Sequence, residues 1–136
     1  MKIDCKAFGL AICLLLLGSS PLRAHHSFAA EFDGSNSVAV SGVITKVDWT
    51  NPHIEFSVDV SDASGHVSTW TCAALGPSVL RHAGVKREDL KIGEKVTVRG
   101  YPAKVGGNHI YARVVEYSDG HKIMTGVNVS DPNQDR

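Results

Sequence analysis

Histidine is the residue through which this chain is best equipped to do chemistry. All seven histidines follow residue 24, and imidazole is both the side chain that titrates near neutrality and the commonest metal ligand. His25 and His26 form a pair at the end of an apolar leader. If the leader is removed after Ala24, His25 becomes the first residue. Its α-amine, with a reference pKa of about 7.7–8.0, can then coordinate together with its own ring. A remote histidine would complete a T-shaped nitrogen site. Such a site suits Cu(II), the strongest binder in the divalent series, with Zn(II) as the other candidate. The compact copper motif with histidine third in the mature chain is absent, because Ser27 stands there. The competing account is that the arm is only a spacer, or that its histidines pack on the barrel.

Two further positions are candidates for the remote ligand. Trp49-Thr50-Asn51-Pro52-His53 is a tight turn. Asn51 is kept out of the helical region by the following proline, so that Trp49 and His53 flank one loop. His109 follows the Gly106-Gly107-Asn108 loop. The expected metal set is therefore His25, His26 and His53, with His109 as a fourth. Trp49, Asn51, Pro52 and Tyr111 are the remaining residues expected on a ligand face or in a motif. The competing account makes the Trp49–His53 turn a structural corner. His66, His82 and His121 lie in turns or beside a helix end and are read as solvated.

No catalytic signature accompanies these residues. The chain has no Gly-x-Ser-x-Gly elbow, phosphate loop, H-E-x-x-H or CxxC. It is read as a binding protein and not as an enzyme. Glu31 and Asp33 are read as solvated carboxylates, and Cys72 as a small buried hydrophobe, with a metal ligand or an intermolecular thiol as the alternatives.

The elements that must position these residues are mostly strands. Residues 38–49 form a long β candidate in which Val43, Thr45, Val47 and Trp49 share a face and Gly42 marks a bulge or sharp coiling. Residues 54–60 alternate Ile, Phe, Val and Val with polar residues, a half-buried strand. Asp62-Ala63-Ser64-Gly65 turns the chain into a third strand over 67–74. A short helix is expected at 78–82 and another turn at 86–90. Strands follow at 95–101 and at 109–117, the latter with Ile110, Ala112 and Val114 on one face. A short sixth strand is expected at 122–124. The fold class is mainly β: a small OB-like barrel of five to six strands with one short helix between strands three and four. Closure also removes exposed edges.

The organisation expected is a signal peptide over 1–24, an N-terminal arm without regular structure over 25–37, the barrel over 38–126 and a polar tail over 127–136. Lys2 and Lys6 precede eleven residues, Ala7 to Leu17, that are apolar apart from Gly9. About 20 would be needed to span a bilayer. The leader is read as cleavable rather than as a stable membrane anchor, and the protein as periplasmic or secreted. Cys5 and Cys13 leave with it, so Cys72 has no internal disulfide partner. Basic and acidic residues balance at 14 each. Removal of Lys2, Lys6, Arg23 and Asp4 leaves 11 against 13. A nucleic-acid partner, which requires a basic excess, is not expected. The alternative to metal binding is an interaction module for an envelope protein partner or an oligosaccharide. A barrel groove would then be used, with Tyr101 and Tyr111 as its aromatic candidates.

HHSFAAEFD after the leader, GVITKV running into WTNPH, Gly-Pro-Ser before a short helix, and LKIGEKVTVRGYPAK together resemble the bacterial family called domain of unknown function 6152. The resemblance covers about residues 25–125. It implies an exported, small, β-rich protein and no assigned activity. The motif positions carried onto this chain are His25, His26, Ser27 and Phe28, then Trp49, Asn51, Pro52 and His53. Cys72 departs from the pattern, since similar sequences carry an aromatic or aliphatic residue near there.

Overall fold

The computed structural model describes residues 27–127. The expected signal peptide, His25 and His26 and most of the polar tail lie outside the described residues. The elements are α1 (Phe28–Glu31), β1 (Val38–Asp48), β2 (Glu55–Ser61), β3 (Val67–Ala73), α2 (Pro77–His82), a 3-10 turn (Arg87–Asp89), β4 (Lys95–Pro102), β5 (His109–Tyr117) and β6 (Lys122–Met124). Among the described residues no helix is long and apolar enough to cross a membrane.

The long β1 pairs antiparallel with β4 through its first half and with β2 through its second. β2 pairs with β3, and β4 with β5. A parallel seam, Thr71–His109 to Ala73–Tyr111, joins β3 to β5. Five strands thus close into a barrel, with β6 added to the far half of the same β5 edge. This is the OB-like architecture expected from the strand order, with α2 between β3 and β4. Leu80 of α2 and Leu90 after the 3-10 turn are buried in the core with Ile44, Phe56, Val98 and Ile110. The helical connection therefore plugs one end of the barrel.

Two bulges change which residues face inward. In β1, Ile44 lies opposite Val58 and Lys46 opposite Ser57, so Thr45 is an extra residue. An inserted residue reverses the side-chain phase beyond it. Val40, Gly42 and Ile44 point inward before it, Val47 and Trp49 pack on the core after it, and Val43 and Thr45 are exposed. The expected shared face of Val43, Thr45, Val47 and Trp49 is thus split. In β5, Gly100 pairs with Ala112 and Arg99 with Val114, which makes Arg113 the extra residue. Ile110 and Ala112 enter the core as expected, but Val115 continues the row in place of Val114.

Close approach explains two glycines. A Cβ on Gly42 would overlap the Asp59 carbonyl of β2, and one on Gly76 would overlap the Pro52 carbonyl. The second contact ties the Trp49–His53 turn, whose Asn51–Pro52 peptide is cis, to the Gly76-Pro77 start of α2.

The arm is not an irregular spacer. Phe28 and Phe32 flank a one-turn helix, and Phe32 is buried and bridges to Ala103. Asp33 N–H donates to Pro102 O at 2.9 Å and Lys104 N–H to Glu31 O at 2.8 Å. The Lys104 ammonium donates to Ala29 O at 2.5 Å. Asp33 also accepts from the Ser35 hydroxyl at 2.6 Å and the Ser35 N–H at 3.1 Å. These bonds hold its carboxyl below the usual carboxylate range.

Candidate functional site: the arm-covered face of the barrel

The outer wall of β2, β3, β5 and β4 can be read as rows fixed by strand register. Glu55, Ala73, Tyr111 and Tyr101 lie side by side in one row. Ser57, Thr71 and His109 form the next row in one direction. In the other direction the β2–β3 ladder continues past the named strands. Ile54 N–H donates to Leu75 O at 3.3 Å, and Ala74 N–H to Ile54 O at 3.0 Å. Ile54 is fully buried, and the preceding His53 is exposed. His53 therefore flanks the Ala73–Tyr111 row on one side and His109 flanks it on the other. Their register positions on β3, residues 75 and 71, are about 13 Å apart along the strand at roughly 3.3 Å per residue. His53 and His109 share the outer wall but are separated by the aromatic row.

The arm lies on this wall. Phe32 meets the edge of His109 at 5.2 Å between ring centroids. Phe28, one helical turn earlier, stacks with Phe32 at 5.5 Å and meets Tyr111 at 4.8 Å and Tyr101 at 5.6 Å, both edge-on. Ala73 and Val127 pack against the same cluster. Followed backwards from Phe32 to Phe28, the chain passes from the His109 row to the Ala73–Tyr111 row. The row beyond is that of His53.

This packing alters the roles expected for the aromatic residues. Tyr101 and Tyr111 are only 5% and 8% exposed, so neither offers an open stacking platform. Burial raises the Tyr111 pKa, opposed by a bond in which its oxygen accepts the Val127 N–H at 3.4 Å. His109 is half-buried, and its Nε2 is enclosed without a hydrogen-bond partner among the described residues. The resemblance marks Phe28 as a motif position, whereas the sequence reading does not single out Phe32, which also covers this face. The signal was available: aromatics four apart in FAAEF share one face of a helical turn.

The remaining expected residues separate. Asn51 and Pro52 are exposed at the turn, while Trp49 is half-buried against the core. Cys72 is fully buried, and burial pushes its thiol up to about 12. His66, His82 and His121 are exposed; the His82 ring lies 2.7 Å from Ser78 O, and the His121 ring stacks on Tyr117 at 5.4 Å. No group of three or more His, Cys, Asp or Glu among the described residues is arranged to hold a metal ion. A complete site of the expected kind would need donors preceding Ser27.

Compared with known proteins, residues 14–112 match a family model described as a family of unknown function (DUF6152). No curated protein matches the chain.

Proposed function

This chain belongs to the family of unknown function DUF6152, and from that premise we propose that it is an exported periplasmic protein that binds a transition metal, copper before zinc. His25 supplies its α-amine and ring, His53 supplies the remote imidazole, and His26 stands beside them. The reading is of binding rather than catalysis.

One observation carries it. The docked arm runs from the His109 row at Phe32 to the Ala73–Tyr111 row at Phe28, so its N-terminal direction leads toward the row of exposed His53. Two residues separate His25 from Phe28, a span of no more than about 11 Å at roughly 3.6 Å per residue. The same observation favours His53 over His109 as the remote ligand, because Phe32 covers His109 and the arm leads away from it.

The amine explains why such a site would depend on export. A primary amine with a pKa of about 7.7–8.0 loses its proton readily to a metal, whereas the amide of an uncleaved chain does not. Nitrogen-rich ligation then favours Cu(II).

Native and denaturing mass spectrometry of the exported protein tests the proposal. The expected result is a mature chain starting at His25 that retains one copper ion per molecule. His53→Ala, or acetylation of the His25 α-amine, should weaken Cu(II) binding at least a hundredfold, while His109→Phe should leave it within threefold. A different mature start, or Cu(II) affinity indifferent to His53→Ala, would refute it.

A further inference from the structure

A second candidate site lies at the other end of the Trp49–His53 turn and does not depend on the metal proposal. Trp49 leaves β1 half-buried, with part of its indole packed on the core. The rest lines a cleft completed by Arg81 of α2 and by Lys86, Arg87 and Glu88 around the 3-10 turn. Arg81, Lys86 and Arg87 are all exposed. None of the three makes an ion pair among the described residues, unlike Arg99 and Lys122, which pair with Glu116. Three cations against one carboxylate thus surround a single aromatic surface.

The local structure explains why these cations converge. Gly76 and Pro77 start α2 against the Pro52 carbonyl, which fixes the helix beside the turn that begins at Trp49. Leu80 and Leu90 are anchored in the core. The Lys86 N–H donates to the Asp89 carboxylate at 2.8 Å, which holds the 3-10 turn. Arg81 and Arg87 therefore stand on two short elements that are each pinned by a buried leucine. Fixed backbones reduce the ordering cost of binding. Arginine forks match the planar geometry of a carboxylate and remain charged at any physiological pH. An indole face accepts the C–H face of a pyranose ring.

We propose that the Trp49 cleft binds an acidic glycan, one uronic-acid unit stacking on Trp49 while Arg81 and Arg87 hold its carboxylate. Lys86 contributes longer-range attraction, and Glu88 turns the rim against a second acid at that edge. The chain's charge balance agrees with a local site: 14 basic residues meet 14 acidic ones overall, so attraction for a polyanion arises from this cluster and not from the protein as a whole.

The probe is trigalacturonate, titrated calorimetrically into the folded protein, with neutral trigalactose as its control. Saturable binding of the acid is expected, at least tenfold tighter than that of the neutral trimer and weakening as salt is raised. Arg81→Gln with Arg87→Gln should reduce the affinity at least tenfold. Both side chains are exposed, and an unchanged circular dichroism spectrum would confirm that the variant folds. Trp49→Phe, which keeps the core contact but narrows the platform, should reduce it several-fold. Equal affinity for the neutral trimer, no effect of the double glutamine variant, or no heat with millimolar trigalacturonate would each overturn the proposal.

Discussion

Replacing Phe32 by alanine tests whether the arm is a wall of the domain or an appendage. Phe32 is only 4% exposed and touches His109, Tyr111 and Phe28. Phe→Ala in a core costs about 3–5 kcal/mol. The cluster lies on the outside of the barrel, where the arm can relax, so about 2–4 kcal/mol is the reasoned range. For a domain of about 100 residues each kcal/mol moves the Tm by roughly 4–8 °C, and a fall of at least about 8 °C is expected. Phe28, half-buried at the arm's start, should cost less, about 1–2 kcal/mol. Urea melts give the energies. Hydrogen exchange gives the location: the Asp33 and Lys104 amides, which bond across to Pro102 and Glu31, should lose protection before the barrel strands do. A Phe32→Ala protein within about 0.5 kcal/mol of the parent, with those amides still protected, would refute the reasoning. The metal proposal would then lose its anchor, since an undocked arm leads nowhere in particular.

Two glycines and the buried thiol offer further tests of the fold. Gly76→Ala would drive a Cβ into the Pro52 carbonyl, and the displaced turn should cost about 2 kcal/mol or more in a urea melt. The same change at exposed Gly65, where no atom lies near the added Cβ but φ is +83°, should cost only about 1 kcal/mol of backbone strain. The Cys72 thiol, raised to about 12 from 9.0 by burial, should resist alkylation at pH 8 until the protein unfolds. Above pH 9 the unfolded chain releases this proton while the folded chain keeps it. Stability should therefore fall as pH rises toward 12, by up to about 1.4 kcal/mol per pH unit from this group, and Cys72→Val should flatten that decline in alkaline denaturation curves.

The strand order and the helix position were legible because alternation and turn residues are local signals. Ile54, Phe56 and Val58 announce an inward face, and Asp62 to Gly65 announce a hairpin. The bulges at Thr45 and Arg113 were not legible. An inserted residue has no composition of its own and is defined only by what the partner strand places opposite it. The expected shared face of Val43, Thr45, Val47 and Trp49 therefore failed where pairing, not periodicity, sets the phase. The candidate site was partly visible. His53 and His109 were recognisable as two loop-proximal histidines, but their separation by the Ala73–Tyr111 row depends on the register of strands distant in sequence. The covering of Tyr101 and Tyr111 by Phe28 and Phe32 is a tertiary outcome of the same kind.

The parallel seam between β3 and β5 has a mechanical consequence. Three residue pairs close the cylinder, far fewer than the seven that join β2 to β3, so this short joint is where the hoop is easiest to prise apart. Phe28 meets Tyr111 on the β5 side of the joint, and Ala73 on the β3 side packs against the same aromatic cluster. The arm's aromatic cluster thus sits over the short joint, and residues from both of its sides share in that packing.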